Sequence, residues 1–347
     1  MTKFSKMIEN ATAMTRAGNL TGATAAIQAA LHGPASGTAQ DRAPLGETLR
    51  RIAAGGMPRS TPLQADVALP AGASFLSLTH SGPHGSRAYR LYVPANRTAQ
   101  MPLIVMLHGC TQTPEDFAVG TGMNVLAEEF ACLVAYPCQP SGANAQKCWN
   151  WFRPQDQVVG RGEPALIAGI TADILRDYPA DAARVYIAGL SAGGAAALIA
   201  GAAYPDLFAA IGVHSGLAVG AAQDVPSAFA AMRSGADGKP LSGIAPTMVF
   251  HGTADSTVNS ENARAVMTQV TRPYGNSTLS VETKRTPDRK TARVTRHSSH
   301  QKTIAELWEI EGAGHAWSGG NAAGSYTDAS GPDASRQLMR FFLQHGK

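Results

Sequence analysis

A serine set between small residues, Gly189-Leu190-Ser191-Ala192-Gly193, follows a short apolar run and precedes an alanine-rich stretch. Gly-x-Ser-x-Gly between a strand and a helix is the nucleophile elbow, in which the serine sits in a strained turn and any side chain at the flanking glycines would collide with a neighbouring element. The context fits: 184–188 has strand character, and 195–202 carries the small residues of a helix packed close to a sheet. A serine hydroxyl is a poor nucleophile at its ordinary pKa, so it needs a base, and the base needs an orienting carboxylate. In this architecture the acid and then the histidine follow the serine, each just beyond a strand end. The run from Thr247 through His251 and Gly252 reads as strand then turn and delivers Asp255; the run from Leu307 through Gly312 and Gly314 does the same for His315. Alone, Asp255 could cap a helix starting near Ser260 and His315 could be an ordinary loop residue; their order and placement make them acid and base. His297 and His300, in a basic hairpin, and Glu261, inside the following helix, are weaker rivals.

The oxyanion formed on attack needs backbone N–H donors aimed at it. Ala192, directly after the nucleophile, supplies one. The second is expected from Leu107-His108-Gly109-Cys110-Thr111-Gln112, where Gly109 permits a sharp turn and the donor is the N–H of Cys110 or, as a weaker alternative, of Thr111. Trp149, Trp151 and Phe152 crowd a loop rich in polar residues and glycine, and Trp317 stands close after His315. These indoles are either core plugs or an apolar platform for substrate, and Trp149, Trp151 and Trp317 are taken as candidate substrate-binding residues.

Such groups must be presented by a sheet. Segments 75–79 and 89–93 read as an antiparallel opening pair and 103–107 as a buried strand. Helix 123–130, strand 132–136, helix 164–178, strand 185–188 and the helix after Ser191 follow; 209–213, 247–250 and 305–310 supply further strands and 334–344 a closing helix. Alternating elements with continuously apolar strands predict an α/β fold, a mostly parallel sheet with helices on both faces. This catalytic domain is expected over 71–347, after a helical segment at 1–34 and an irregular arm or linker at 35–70 that lacks any sustained period.

The 347 residues are 44% hydrophobic with a net charge of +4, enough for one large core, and no apolar run reaches the length of a membrane span. Basic residues gather between Lys284 and Lys302, which reads as a solvated hairpin and not a nucleic-acid surface, since no binding motif accompanies the charge. The four cysteines, Cys110, Cys132, Cys138 and Cys148, match no zinc spacing. Cys132 lies in an apolar run and reads as a buried small hydrophobe, whereas Cys110 and Cys148 lie in loops that should meet at the active-site face and are the better disulfide candidates. The amino terminus lacks the features of a secretory signal, which favours the cytoplasm; a bridge would favour an oxidising compartment.

Five ordered motifs, at 107–112, 148–152, 189–194, 251–255 and 312–320, resemble the poly(3-hydroxybutyrate) depolymerase family of esterases, which also includes feruloyl and acetylxylan esterases. The resemblance covers roughly residues 75 to 345. It implies the α/β-hydrolase fold, a triad of Ser191, Asp255 and His315, Cys110 at the second oxyanion position, and a Cys110–Cys148 disulfide. The expected activity is a cofactor-independent hydrolysis of carboxylic esters through an acyl-enzyme, on poly(3-hydroxybutyrate) or related polyesters and oligomers. Alternatives are a feruloyl or acetylxylan esterase and a non-catalytic binding module on the same fold. Neither a threonine-rich linker and polymer-binding domain after the last helix nor a signal peptide is expected from this sequence, which weakens the expectation of crystalline polyester as substrate and leaves amorphous polymer, soluble oligomers or another ester.

Overall fold

The chain enters its sheet through β1 (Ser74–Gly82) and β2 (Gly85–Val93), an antiparallel pair at one edge. The computed structural model describes residues 69–285 and 287–347. The segment expected at 1–34 and all but the last two residues of the arm expected at 35–70 lie outside the described residues.

Beyond this edge pair come β3 (Met101–Leu107), β4 (Leu133–Pro137), β5 (Ala180–Leu190), β6 (Ala210–His214) and β7 (Thr247–Gly252). Then follow β8 (Thr278–Lys284), β9 (Ala292–Ser299) and β10 (Lys302–Ile310). They form one ten-stranded sheet in the order β1-β2-β4-β3-β5-β6-β7-β10-β9-β8. From β4 to β10 all neighbours run parallel, and β2, β9 and β8 join antiparallel at the flanks. Every residue of β3, β4, β6 and β7 is buried, the signature of strands covered on both faces.

Alternation along β3 divides the core. Leu103, Val105 and Leu107 face α3 (Gly162–Asp177) and α4 (Ala192–Ala203), while Ile104 and Met106 face α1 (Pro114–Thr121), α2 (Met123–Phe130) and the closing helix α7 (Ala334–Phe342). Two further helices, α5 (Val225–Ser234) and α6 (Glu261–Thr271), extend the first of these layers. Strand order reverses between β3 and β5, because β4 lies on one side of β3 and β5 on the other. The crevice outside the carboxyl ends at such a switch point is where open α/β sheets bind ligands. Both the 107–112 loop and Ser191 open onto it.

The expected strands are present, but β5 starts at Ala180, well before the apolar run. Its first residues pair at the end of the sheet in partial contact with solvent, so they carry Asp181 and Arg184, which bond to each other at 2.6 Å. Helices α1 and α5 were not anticipated, although each has a start signal: Thr113 before Pro114, with its side chain accepting from the N–H of Asp116, and a capping box between Asp224 and Ser227. The basic segment is a hairpin of β8 and β9, with β8 exposed along nearly all its length. Arg296 pairs there with Glu282 at 2.6 Å and with the buried Glu306 at 2.9 Å.

Candidate active site

Ser191 occupies the turn between β5 and α4 with φ 58° and ψ −121°, a conformation that costs a non-glycine residue about 1–3 kcal/mol. Its surroundings hold it there. The Ser191 N–H donates to the His214 carbonyl at 2.8 Å, and the Ser191 carbonyl accepts from the Ala195 N–H at 3.0 Å. Both flanking glycines are required by space: a Cβ on Gly189 would overlap the Gly193 carbonyl, and one on Gly193 would overlap the carbonyls of Leu107 and His108. The elbow is therefore pressed against the loop after β3.

Asp255 follows β7 and His315 follows β10. The two turns are knitted by hydrogen bonds from Ala254 N–H to the Ala313 carbonyl at 3.0 Å and from Gly312 N–H to Thr253 Oγ1 at 2.9 Å. His315 Nδ1 lies 2.7 Å from Asp255 Oδ2, while Oδ1 accepts from the N–H groups of Thr257 and Val258, each at 2.9 Å. Asp255 caps no helix; α6 starts later and without a side-chain cap. Burial pulls the Asp255 carboxyl upward, but the His315 hydrogen bond and charge together with the two amide donors outweigh it and hold the group below the usual carboxylate range. An ionised Asp255 requires the proton of His315 to sit on Nδ1, which leaves Nε2 free to accept another. His251 supports the turn by donating from Nε2 to the Val258 carbonyl at 2.8 Å.

On the other side, the loop after β3 presents backbone donors. The Gly109 N–H is taken by Gln112 Oε1 at 2.9 Å, and the Thr111 N–H by the Gln146 carbonyl at 2.7 Å. The N–H groups of Cys110 and Ala192 have no acceptor among the described residues. Of the two alternatives for the second oxyanion donor, Cys110 is thus the free one and Thr111 is engaged. Cys110 is bonded to Cys148, which ties this loop to the aromatic loop. Cys132 and Cys138 are unpaired, and burial pushes the Cys132 thiol up to about 12, as suits an inert core residue.

The three indoles proposed for substrate are not at the surface. Trp149, Trp151 and Trp317 are 0%, 5% and 1% exposed. Trp149 Nε1 donates to the His108 carbonyl at 3.1 Å, and Trp317 Nε1 to Ser335 Oγ at 3.0 Å while its ring packs edge-on against Phe117. With the N–H satisfied inside, nothing opposes burying so large an apolar surface. These tryptophans are core plugs beneath the site.

Sequence reasoning missed the polar scaffold under the aromatic loop. Glu163 accepts from Asn150 N–H at 2.7 Å, from Asn150 Nδ2 at 2.6 Å and from Gln139 Nε2 at 2.5 Å, and burial raises its pKa. No spacing signals it, because its partners come from separate loops. His108 and His214 were also unassigned. His108 Nδ1 donates to the Gly109 carbonyl at 2.8 Å and Nε2 accepts from Gln139 N–H at 3.1 Å, while His214 Nε2 accepts from Ser318 N–H at 3.0 Å.

Burial pushes these two imidazoles down to about 4 and about 3. Since an unfolded chain protonates histidine near 6.5, acid is taken up preferentially by the unfolded state; this contribution to stability is complete above that range and is lost between roughly pH 6.5 and 4 at about 2 kcal/mol per imidazole by pH 5. Thermal denaturation should show Tm falling steadily from pH 7.5 to pH 5 with proton uptake on unfolding. A flat Tm across that interval contradicts the buried neutral state.

Residues 87–291 match the sequence model of a family described as esterase PHB depolymerase; the matched span contains Cys110, Ser191 and Asp255 and ends before His315. The poly(3-hydroxyalkanoate) depolymerase C of Paucimonas lemoignei is 34% identical over 198 residues, which are 53% of this chain and 48% of that protein. Feruloyl esterase B of Neurospora crassa is 35% identical over 153 residues, 42% of this chain and 50% of that protein. The chain spans about half the length of the curated relatives it matches. An acetyl xylan esterase from Aspergillus awamori superposes with a TM-score of 0.62 at 20% identity, over 78% of this chain and 99% of that one. The shared architecture is the α/β-hydrolase fold.

Proposed function

Because the chain belongs to the PHB depolymerase esterase family, we propose that it is a serine-dependent carboxylic-ester hydrolase working through an acyl-enzyme, with hydroxyalkanoate oligomers or polyester as substrate. The observation that carries this reading is the 2.7 Å pairing of His315 Nδ1 with the fully enclosed Asp255 carboxylate, beyond β7 and β10 of the same sheet whose β5 ends in a serine held in the elbow conformation. His315 Nε2 takes the proton of Ser191 as its Oγ attacks the ester carbonyl, and the oxyanion is met by the N–H groups of Cys110 and Ala192. The imidazolium, stabilised by ionised Asp255, returns the proton to the leaving alcohol. Water then attacks the acyl-serine with His315 as base again, the bond between Oγ and the acyl carbon breaks as the imidazolium returns the proton to Ser191, and the free acid departs. The polyester choice is supported by the depolymerase relative, and the feruloyl esterase relative supports plant-wall esters as the second reading.

A substrate comparison separates them. With a 3-hydroxybutyrate trimer, methyl ferulate and acetylated xylan offered to the purified protein, kcat/KM for the trimer should exceed that for either wall ester at least tenfold. The reverse order overturns the polyester assignment in favour of the second reading, and no turnover of any ester removes the hydrolase reading altogether.

A further inference from the structure

Two exposed side chains meet beside the oxyanion loop without a part in the mechanism above. Thr111 directly follows Cys110, and the Tyr326 hydroxyl lies 3.1 Å from its Oγ1. Neither residue is glycine, yet their φ angles are 66° and 51°, in the left-handed region that an ordinary residue enters only when its surroundings impose it. Here they do. The Tyr326 carbonyl accepts from the Trp317 N–H at 2.7 Å, close after His315. The preceding residue is clamped from both sides: Ser325 N–H donates to Asp116 Oδ1 at 2.8 Å, and the Ser325 carbonyl accepts from Gln112 Nε2 at 3.1 Å. Gln112 is also the residue whose Oε1 takes the Gly109 N–H. A single glutamine thus couples the oxyanion turn to the peptide that leads into Tyr326, and Tyr326 spans from the oxyanion loop to the loop of the base.

This scaffold ends in a phenol that is 48% exposed, whereas the tryptophans of the adjoining loops are buried. A side chain fixed so firmly yet left open to solvent adds little to the core. Its hydrogen bonding is also incomplete. The Thr111 hydroxyl donates to the Cys110 carbonyl at 2.6 Å, so at its 3.1 Å contact with Tyr326 it accepts the phenol proton, and the phenol oxygen keeps its acceptor capacity.

Resting on the ester-hydrolase reading above, we propose that Tyr326, positioned by Thr111 and Gln112, is a specificity-determining residue at the rim of the site. Its oxygen accepts a hydrogen bond from a hydroxyl on the acyl part of the substrate and its ring covers the adjoining aliphatic carbons. The substrate class it selects is esters of hydroxy acids over unsubstituted esters of the same length.

Methyl 3-hydroxybutyrate and methyl butyrate differ only in that hydroxyl, so the ratio of their kcat/KM values isolates the contact. In Tyr326→Phe this ratio should fall two- to tenfold from its wild-type value, the effect of losing one hydrogen bond in a partly solvated setting. Tyr326→Ala should show the same fall and in addition raise KM for both esters through loss of the ring. An unchanged ratio in Tyr326→Phe, with both esters still hydrolysed by wild type, overturns the assignment of Tyr326 and leaves the hydrolase reading standing. Hydrolysis of neither ester by wild type overturns this proposal, and the hydrolase reading falls with it only where the 3-hydroxybutyrate trimer, methyl ferulate and acetylated xylan are left intact as well.

Discussion

Ser191→Ala is expected to lower kcat by roughly 10⁴- to 10⁶-fold, leaving the residual catalysis that an oxyanion hole and substrate binding provide without a nucleophile. The substitution is clean for structural reasons. Alanine keeps the Cβ and so adds nothing to the backbone strain at φ 58°, and the bonds that hold the turn, from the Ser191 N–H to His214 and from Ala195 to the Ser191 carbonyl, are backbone bonds. Thermal stability should therefore stay close to wild type. Wild type mixed with p-nitrophenyl butyrate should release a burst of p-nitrophenol where deacylation limits turnover, and the variant should show none. Activity within tenfold of wild type, at unchanged Tm, would mean that the hydrolysis runs without Ser191 and that the elbow serves another purpose.

How much of this was legible in the sequence follows from where each signal lives. The elbow was readable because sterics dictate its residue types: Gly189 and Gly193 face backbone carbonyls that admit no side chain. The candidate acid and base, Asp255 and His315, could be picked out because each lies just past a strand whose apolar run is itself a signal, and the structure brings the two side chains within 2.7 Å. Cys110 was preferred over Thr111 as the candidate second donor, but what separates the two, a hydrogen bond from the Thr111 N–H to the Gln146 carbonyl, is a contact between loops that carries no sequence signal. The tryptophans were misassigned for a related reason. A polar, glycine-rich stretch looks exposed, but Trp149 and Trp317 find partners for their N–H groups at His108 and Ser335 and can sink into the core. Tyr326 gave no signal at all, because its placement depends on Gln112 and Asp116 from the segment after β3 acting together with Trp317 from the segment after β10.

Asp255→Asn is expected to be the second most damaging change, lowering kcat by about 10³- to 10⁴-fold with little effect on KM. The direction of the amide decides the outcome. One oxygen of Asp255 accepts from the N–H groups of Thr257 and Val258, so the amide oxygen of asparagine must take that place and its NH2 must turn toward His315. Flipping the amide would set NH2 against two N–H donors, at the cost of both hydrogen bonds. With a donor facing it, His315 Nδ1 must become the acceptor, and its proton moves to Nε2, the atom that has to receive the proton of Ser191. The base is then blocked and the imidazolium loses its counter-charge. Asp255→Ala removes the carboxylate without imposing that tautomer, so a comparison of the pair is informative: asparagine, the closer match in shape, should be at least as slow as alanine. If Asp255→Asn proved clearly faster than Asp255→Ala, or fell within tenfold of wild type, the carboxylate would be filling space and not holding the proton of His315 in place.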